Sequence, residues 1–216
     1  MRCFLCLALM SVALCVPSHI DAQDANAPAN APAAPAADVE VFTPPSPDEK
    51  WDFFKDETFA FYTILASAAN AGVSEALRAD PQYGVGGLAL VKRFGASAAD
   101  NVSQNFFSDY VMASALHEDT RYRRRGEKYG FWSRFGYAIS RAFVTRTDAG
   151  ASTANWANFL GCGLQAGLSN AYYPKPSRNI SATAINWGNS VGASGFGNLF
   201  PEFLPDFKRL LKRIHL

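Results

Sequence analysis

Residues 149–201 constrain this chain more than any other stretch, because they are rich in small residues and nearly devoid of charge. Gly163 and Gly167 stand four apart, and Ala184, Gly188 and Gly192 repeat that spacing further on. Positions four apart share one face of a helix. A glycine inside a helix costs about 1 kcal/mol relative to alanine, and several at helical spacing are usually offset by close approach of two backbones. The spacing therefore predicts two helices, over about 152–172 and 181–199, touching along these glycines. Membrane-spanning helices pair in the same way. Asn155, Asn158, Gln165, Asn170, Asn186, Asn189 and Asn198 load this stretch with amides, which argues against helices that face lipid.

The remaining segments predict an all-α domain. Ser46-Pro47-Asp48-Glu49 is a capping box with proline at the first helical position. Behind it, Trp51, Phe54, Thr58, Phe61, Leu65 and Ala68 form a stripe at spacings of three and four, predicting one helix to about residue 79. Asp80-Pro81 opens a second helical stretch to about 117, with a break near Gly84–Gly87. A basic connector occupies 120–130, and a helix follows over about 129–145. Pro201 and Pro205 are read as breaks before a short amphipathic helix over 206–216. No stretch sustains the alternation of a strand. The expected architecture is a single bundle of about five helices plus the short C-terminal one, occupying 46–216.

Upstream of that domain the composition changes twice. Residues 1–22 have the form of a secretory signal, with Arg2 before an apolar run over 4–16. Residues 23–45 are an Ala/Pro-rich tether, expected to be disordered because repeated proline blocks helix and alanine builds no core. Removal of the signal would take Cys3, Cys6 and Cys15 with it, leaving only Cys162, expected to be a small buried hydrophobe. Residues 51–216 sum to +5, which suits an anionic partner.

Few motifs carry chemistry. Gly188-Asn189-Ser190-Val191-Gly192 matches G-x-S-x-G, and Asp206 and His215 follow in triad order. A nucleophile elbow needs a strand-to-helix turn, and no strand precedes Ser190, so a serine hydrolase is the weakest reading. His117-Glu118-Asp119 is a solvated helix end rather than a ligand set. No P-loop, dinucleotide fingerprint or zinc motif occurs, so no cofactor, metal or catalytic residue is assigned.

Two groups of residues are candidates for binding. Arg141, Arg146, Asp148, Trp156, Asn170, Tyr172, Tyr173, Arg178, Trp187 and Glu202 flank the small-residue helices. They are read as a polar pocket or a mutual network at the helix ends. Arg121, Arg123, Arg124, Arg125 and Lys128 in the connector, with Lys208, Arg209, Lys212 and Arg213 at the C-terminus, are read as contacts to an anionic surface. An exported protein meets lipid headgroups or envelope polymers, not nucleic acid.

Three segments carry a resemblance: Arg141 with Val144-Thr145-Arg146-Thr147-Asp148; Gly167-Leu168-Ser169-Asn170-Ala171-Tyr172-Tyr173-Pro174; and Asn198 with Glu202-Phe203-Leu204-Pro205-Asp206. The chain resembles, over about 83–213, a group of exported bacterial helical proteins with no assigned activity. That resemblance implies an exported helical domain and carries over no catalytic residue. The expectation for function is a non-enzymatic envelope protein that binds or scaffolds at an anionic membrane surface. A helical module binding a small amphiphile beside Trp156, Tyr172 and Trp187 is the alternative.

Overall fold

Helix α1 (Pro47–Phe59) starts where the capping box places it, with the Ser46 hydroxyl accepting from the Glu49 N–H at 3.2 Å. The computed structural model describes residues 43–214. The signal reading over 1–22, most of the tether and His215 lie outside the described residues. The domain is a helical bundle with one small sheet.

The first helix does not run on to residue 79 as expected. It stops at Ala60, and α2 (Phe61–Leu77) begins at once. The Thr63 hydroxyl donates to the Glu57 carbonyl at 2.6 Å, satisfying a group that a continuous helix would have bonded itself. Neither glycine nor proline marks this break. Next comes α3 (Gly87–Asn105), which widens into a π-helical segment over Phe106–Met112 and closes with a single α turn, α4 (Ala113–Ala115).

The all-α bundle expected from the sequence is what forms, and beside its helices lies a small three-stranded antiparallel sheet that the sequence did not announce. It comprises β1 (Glu118–Asp119), β2 (Val144–Thr147) and β3 (Ser152–Ala154), in the order β1-β2-β3. Arg146 pairs with Asp119 on one side and Ser152 on the other. The helix expected to reach residue 145 is α5 (Phe131–Ser140), and the chain then turns into β2. Strands of two to four residues are too short to show alternation. Gly150 turns the hairpin at φ 85°, a left-handed conformation open to glycine.

The small-residue stretch forms α6 (Trp156–Ser169) and α7 (Ile180–Gly197). Helix α6 is central and touches the π-helical segment, α3 and α7. Close backbone approach occurs, but not along the expected face. A Cβ on Gly161 would lie 2.6 Å from Ser108 Cα in the π-helical segment, and one on Gly195 would lie 3.1 Å from the Ile139 carbonyl in α5. Gly167, Gly188 and Gly192 have nothing within 4 Å of such an atom. The two helices are bridged instead by polar bonds: Asn170 Nδ2 to Thr183 at 3.0 Å, and Trp187 Nε1 to the Phe159 carbonyl at 2.9 Å.

Helix α8 (Leu199–Ile214) overturns the reading of Pro201 and Pro205 as breaks. Pro201 sits in the first turn, where its missing N–H has no helical partner. Pro205 lies inside the helix. The Glu202 carbonyl in the turn before it accepts from Arg124 Nε at 2.9 Å and from Arg134 Nη2 at 2.8 Å, bonds that tie the proline-containing turn to the rest of the domain.

Burial follows side-chain size as much as polarity. Ala113, Ala138, Ala157, Cys162 and Ala166 are buried, and so are Gln165 and Glu202 at 0 % exposure. Many large apolar residues face outward, among them Trp156, Leu160, Leu164 and Leu168 along one side of α6. Among the described residues no helix is long and apolar enough to cross a membrane.

Candidate functional site

The polar residues expected to converge are divided among separate networks. Asp148 pairs with the buried Lys50 at 2.9 Å, and Lys50 also donates to the Ala113 carbonyl at 2.9 Å. Tyr172 and Tyr173 each donate to Asp100 at 2.6 Å, one to each carboxylate oxygen, and Gln165 Nε2 adds a third bond at 2.6 Å. Burial raises the Asp100 pKa, and these donors only partly offset it. Arg146 lies in the sheet, and Trp156 is exposed at the start of α6. Asn170, Arg178 and Trp187 share a concavity, a groove between α6 and α7.

Glu202 anchors the most complete network. Arg134 Nε reaches one carboxylate oxygen at 2.5 Å, and the Tyr122 hydroxyl reaches the other at 2.7 Å. The backbone N–H groups of Arg125 and Gly126 add bonds at 2.9 and 3.3 Å. Burial alone would raise the Glu202 pKa; the Arg134 guanidinium, the Tyr122 hydroxyl and the two N–H groups outweigh it and hold the carboxyl below its usual range. Asp206 extends the network through Arg124 and Arg134.

That network draws part of the basic connector inward, where Arg124 and the N–H groups of Arg125 and Gly126 hold α8. Arg121 and Arg123 bind Asp119 at 2.8 and 3.3 Å, and Arg124 binds Asp206. The Arg125 guanidinium lies over the Tyr129 ring at 4.2 Å, with Lys128 5.4 Å from the same ring. Arg209 pairs with Glu127. Lys208, Lys212 and Arg213 are exposed and have no ion-pair partner among the described residues.

The serine motif is a surface of α7. Ser190 lies within that helix and donates to Gln165 Oε1 at 3.0 Å, while Asp206 is held by arginines. The strand-to-helix turn that would expose a nucleophile is absent there. Burial pushes the Cys162 thiol up to about 12, which makes it inert. His117 is exposed at φ 54°, just beyond α4.

A second concavity escaped the sequence reading. A cleft of about 370 Å³ is lined by Glu57, Tyr62, Gln104, Asp109, Arg141 and Phe200, among others. Glu57 comes from the end of α1, where Tyr62 donates to it at 2.6 Å, and Asp109 comes from the π-helical segment. Neither carboxylate has a cation within ion-pair distance among the described residues. Burial, then the charge of Glu57, pushes Asp109 up to about 7. Burial likewise raises the Glu57 pKa, against the Tyr62 bond. A π-helical turn and two carboxylates of raised pKa in one cleft are features of functional sites. The two residues are 52 positions apart in sequence, and no motif announces them. Compared with protein-family models, curated proteins and solved structures, the chain matches none.

Proposed function

We propose that this chain is an exported bacterial envelope protein that acts by binding, and that it meets an anionic membrane surface with the end of α8. One observation carries the reading. In the last two turns Phe207, Leu210, Leu211 and Ile214 are all exposed, interleaved with Lys208, Arg209, Lys212 and Arg213. A helix docked on its own core would bury those apolar side chains. One with an open apolar stripe and flanking cations suits the headgroup boundary of a bilayer. The apolar surface continues onto the body, since Phe131 lies 5.2 Å from Phe203 and both Phe131 and Trp132 are exposed. Each lysine or arginine near an anionic leaflet contributes about 1 kcal/mol. The signal-like N-terminus, the Ala/Pro-rich tether and the resemblance to exported proteins support export.

Vesicle co-sedimentation tests this. The protein is expected to partition onto vesicles containing phosphatidylglycerol at low salt, much less onto neutral ones, and to lose binding in the double variant Lys208→Glu/Lys212→Glu. Equal indifference to both vesicle types at low salt would overturn the proposal.

A further inference from the structure

Between α6 and α7 lies an open groove of about 550 Å³, and the bridging residues Asn170, Thr183 and Trp187 are part of its lining. Gly163, Ala166 and Ala184, none with a side chain beyond Cβ, line its apolar part, and the bonded pair Asn170 and Thr183 lies toward the Ile180 end. The glycine here is not compensated by tight helix contact: the nearest atom to a Cβ on Gly163 is Trp187 Nε1, at 3.7 Å. Ile180 stands at one end, 91 % exposed, and Trp187 at the other, its ring fixed by the bond to the Phe159 carbonyl.

The Ile180 end is also cationic. Arg178 lines it, with Nε donating to the Tyr173 carbonyl at 2.6 Å and Nη2 to the Ala171 carbonyl at 3.5 Å. Those bonds hold the guanidinium in place without neutralising it, and no carboxylate lies within ion-pair distance of it among the described residues. The N-terminus of α7, an 18-residue helix, lies at the same point; Asn179 caps its Ala182 N–H at 2.9 Å, and the helix dipole adds partial positive charge there. Seven residues of helix separate Ile180 from Trp187, a track of about 10 Å, matching a medium-length alkyl chain. The groove thus has a cationic head, an apolar trough and an indole wall.

We propose that this groove binds a medium-chain fatty acid, with its carboxylate at Arg178 and the start of α7 and its alkyl chain on Gly163, Ala166 and Ala184 toward Trp187. The site is independent of α8, so it can stand or fall apart from the membrane reading.

Calorimetric titration of the full chain with decanoate, below its micelle concentration, tests the assignment, with decanol as the uncharged comparison. Saturable one-to-one binding of decanoate is expected. Arg178→Gln should weaken decanoate at least tenfold and leave decanol within about twofold. Ala184→Leu, at an exposed position where the new side chain fills the trough, should weaken both ligands at least tenfold while thermal unfolding stays unchanged. Lys208→Glu/Lys212→Glu should leave decanoate affinity intact even though it abolishes vesicle binding. The proposal is overturned if decanoate shows no saturable binding, or if neither groove variant changes it. It is equally overturned if only phospholipid vesicles bind, or if Ala184→Leu instead dissociates a dimer that covers the groove.

Discussion

Glu202 and Asp109 are carboxylates withdrawn from bulk water, and their surroundings treat them in opposite ways. Glu202 meets a guanidinium, a phenol and two backbone N–H groups, and its pKa falls. Asp109 meets Thr120 and the like charge of Glu57, and its pKa rises to about 7. The first is locked in one ionised state and ties α8 to the connector. The second exchanges its proton near neutral pH on the wall of a cleft. Burial raises both pKa values, so the donors and charges set around each decide which carboxylate becomes a structural part and which stays chemically available.

Removing a donor from the satisfied site has the largest expected effect. Arg134→Met leaves Glu202 buried without its cation and should cost about 3–5 kcal/mol, read as a lower denaturation midpoint. A loss under about 1 kcal/mol would show that the remaining donors suffice and would collapse the contrast between the sites.

Asp109→Asn should act in the opposite direction. The folded pKa lies above the ordinary 3.8, so the folded state holds the proton better than the unfolded chain does. The favourable contribution of Asp109 is fully present below about pH 4 and is lost as pH rises toward about 7. The asparagine variant should therefore be more stable than the parent at pH 8, by on the order of 2–4 kcal/mol, with the gain vanishing near pH 4. Urea melts across that range decide it; a difference that does not vary with pH would refute the raised pKa.

A smaller change sharpens the origin of the cleft. A Cβ on Gly161 would collide with Ser108, whose π-helical segment also carries Asp109. Gly161→Ala should cost about 1–3 kcal/mol and shift the Asp109 titration measured by carbon-13 NMR. An unshifted titration would separate the position of that segment from the behaviour of its carboxylate.

Much of the helical framework was legible because capping and periodicity act locally. Ser46 and Glu49 announce the start of α1, and the polar–apolar order of residues 203–214 announces an amphipathic end. The break at Ala60 was not legible, since it depends on the Thr63 hydroxyl taking the Glu57 carbonyl. The sheet was hidden by its short strands. The prolines in α8 misled because the arginines that tie this turn to the rest of the domain come from 68 and 78 residues away. Of the expected polar cluster, Asn170, Arg178 and Trp187 come together, whereas Asp148, Tyr172, Tyr173 and Glu202 are consumed by separate partners.

By itself the sequence determined that the chain is helical, that its two central helices are built from small and amide side chains, and that its last helix is basic and amphipathic. Those properties follow from backbone preference and side-chain spacing within a few turns. Only the tertiary structure decided which glycines meet a backbone, which cations are neutralised and which carboxylates lack a counter-charge. Each of those outcomes depends on partners brought from distant positions, and the energy of a charge is set by what surrounds it in space.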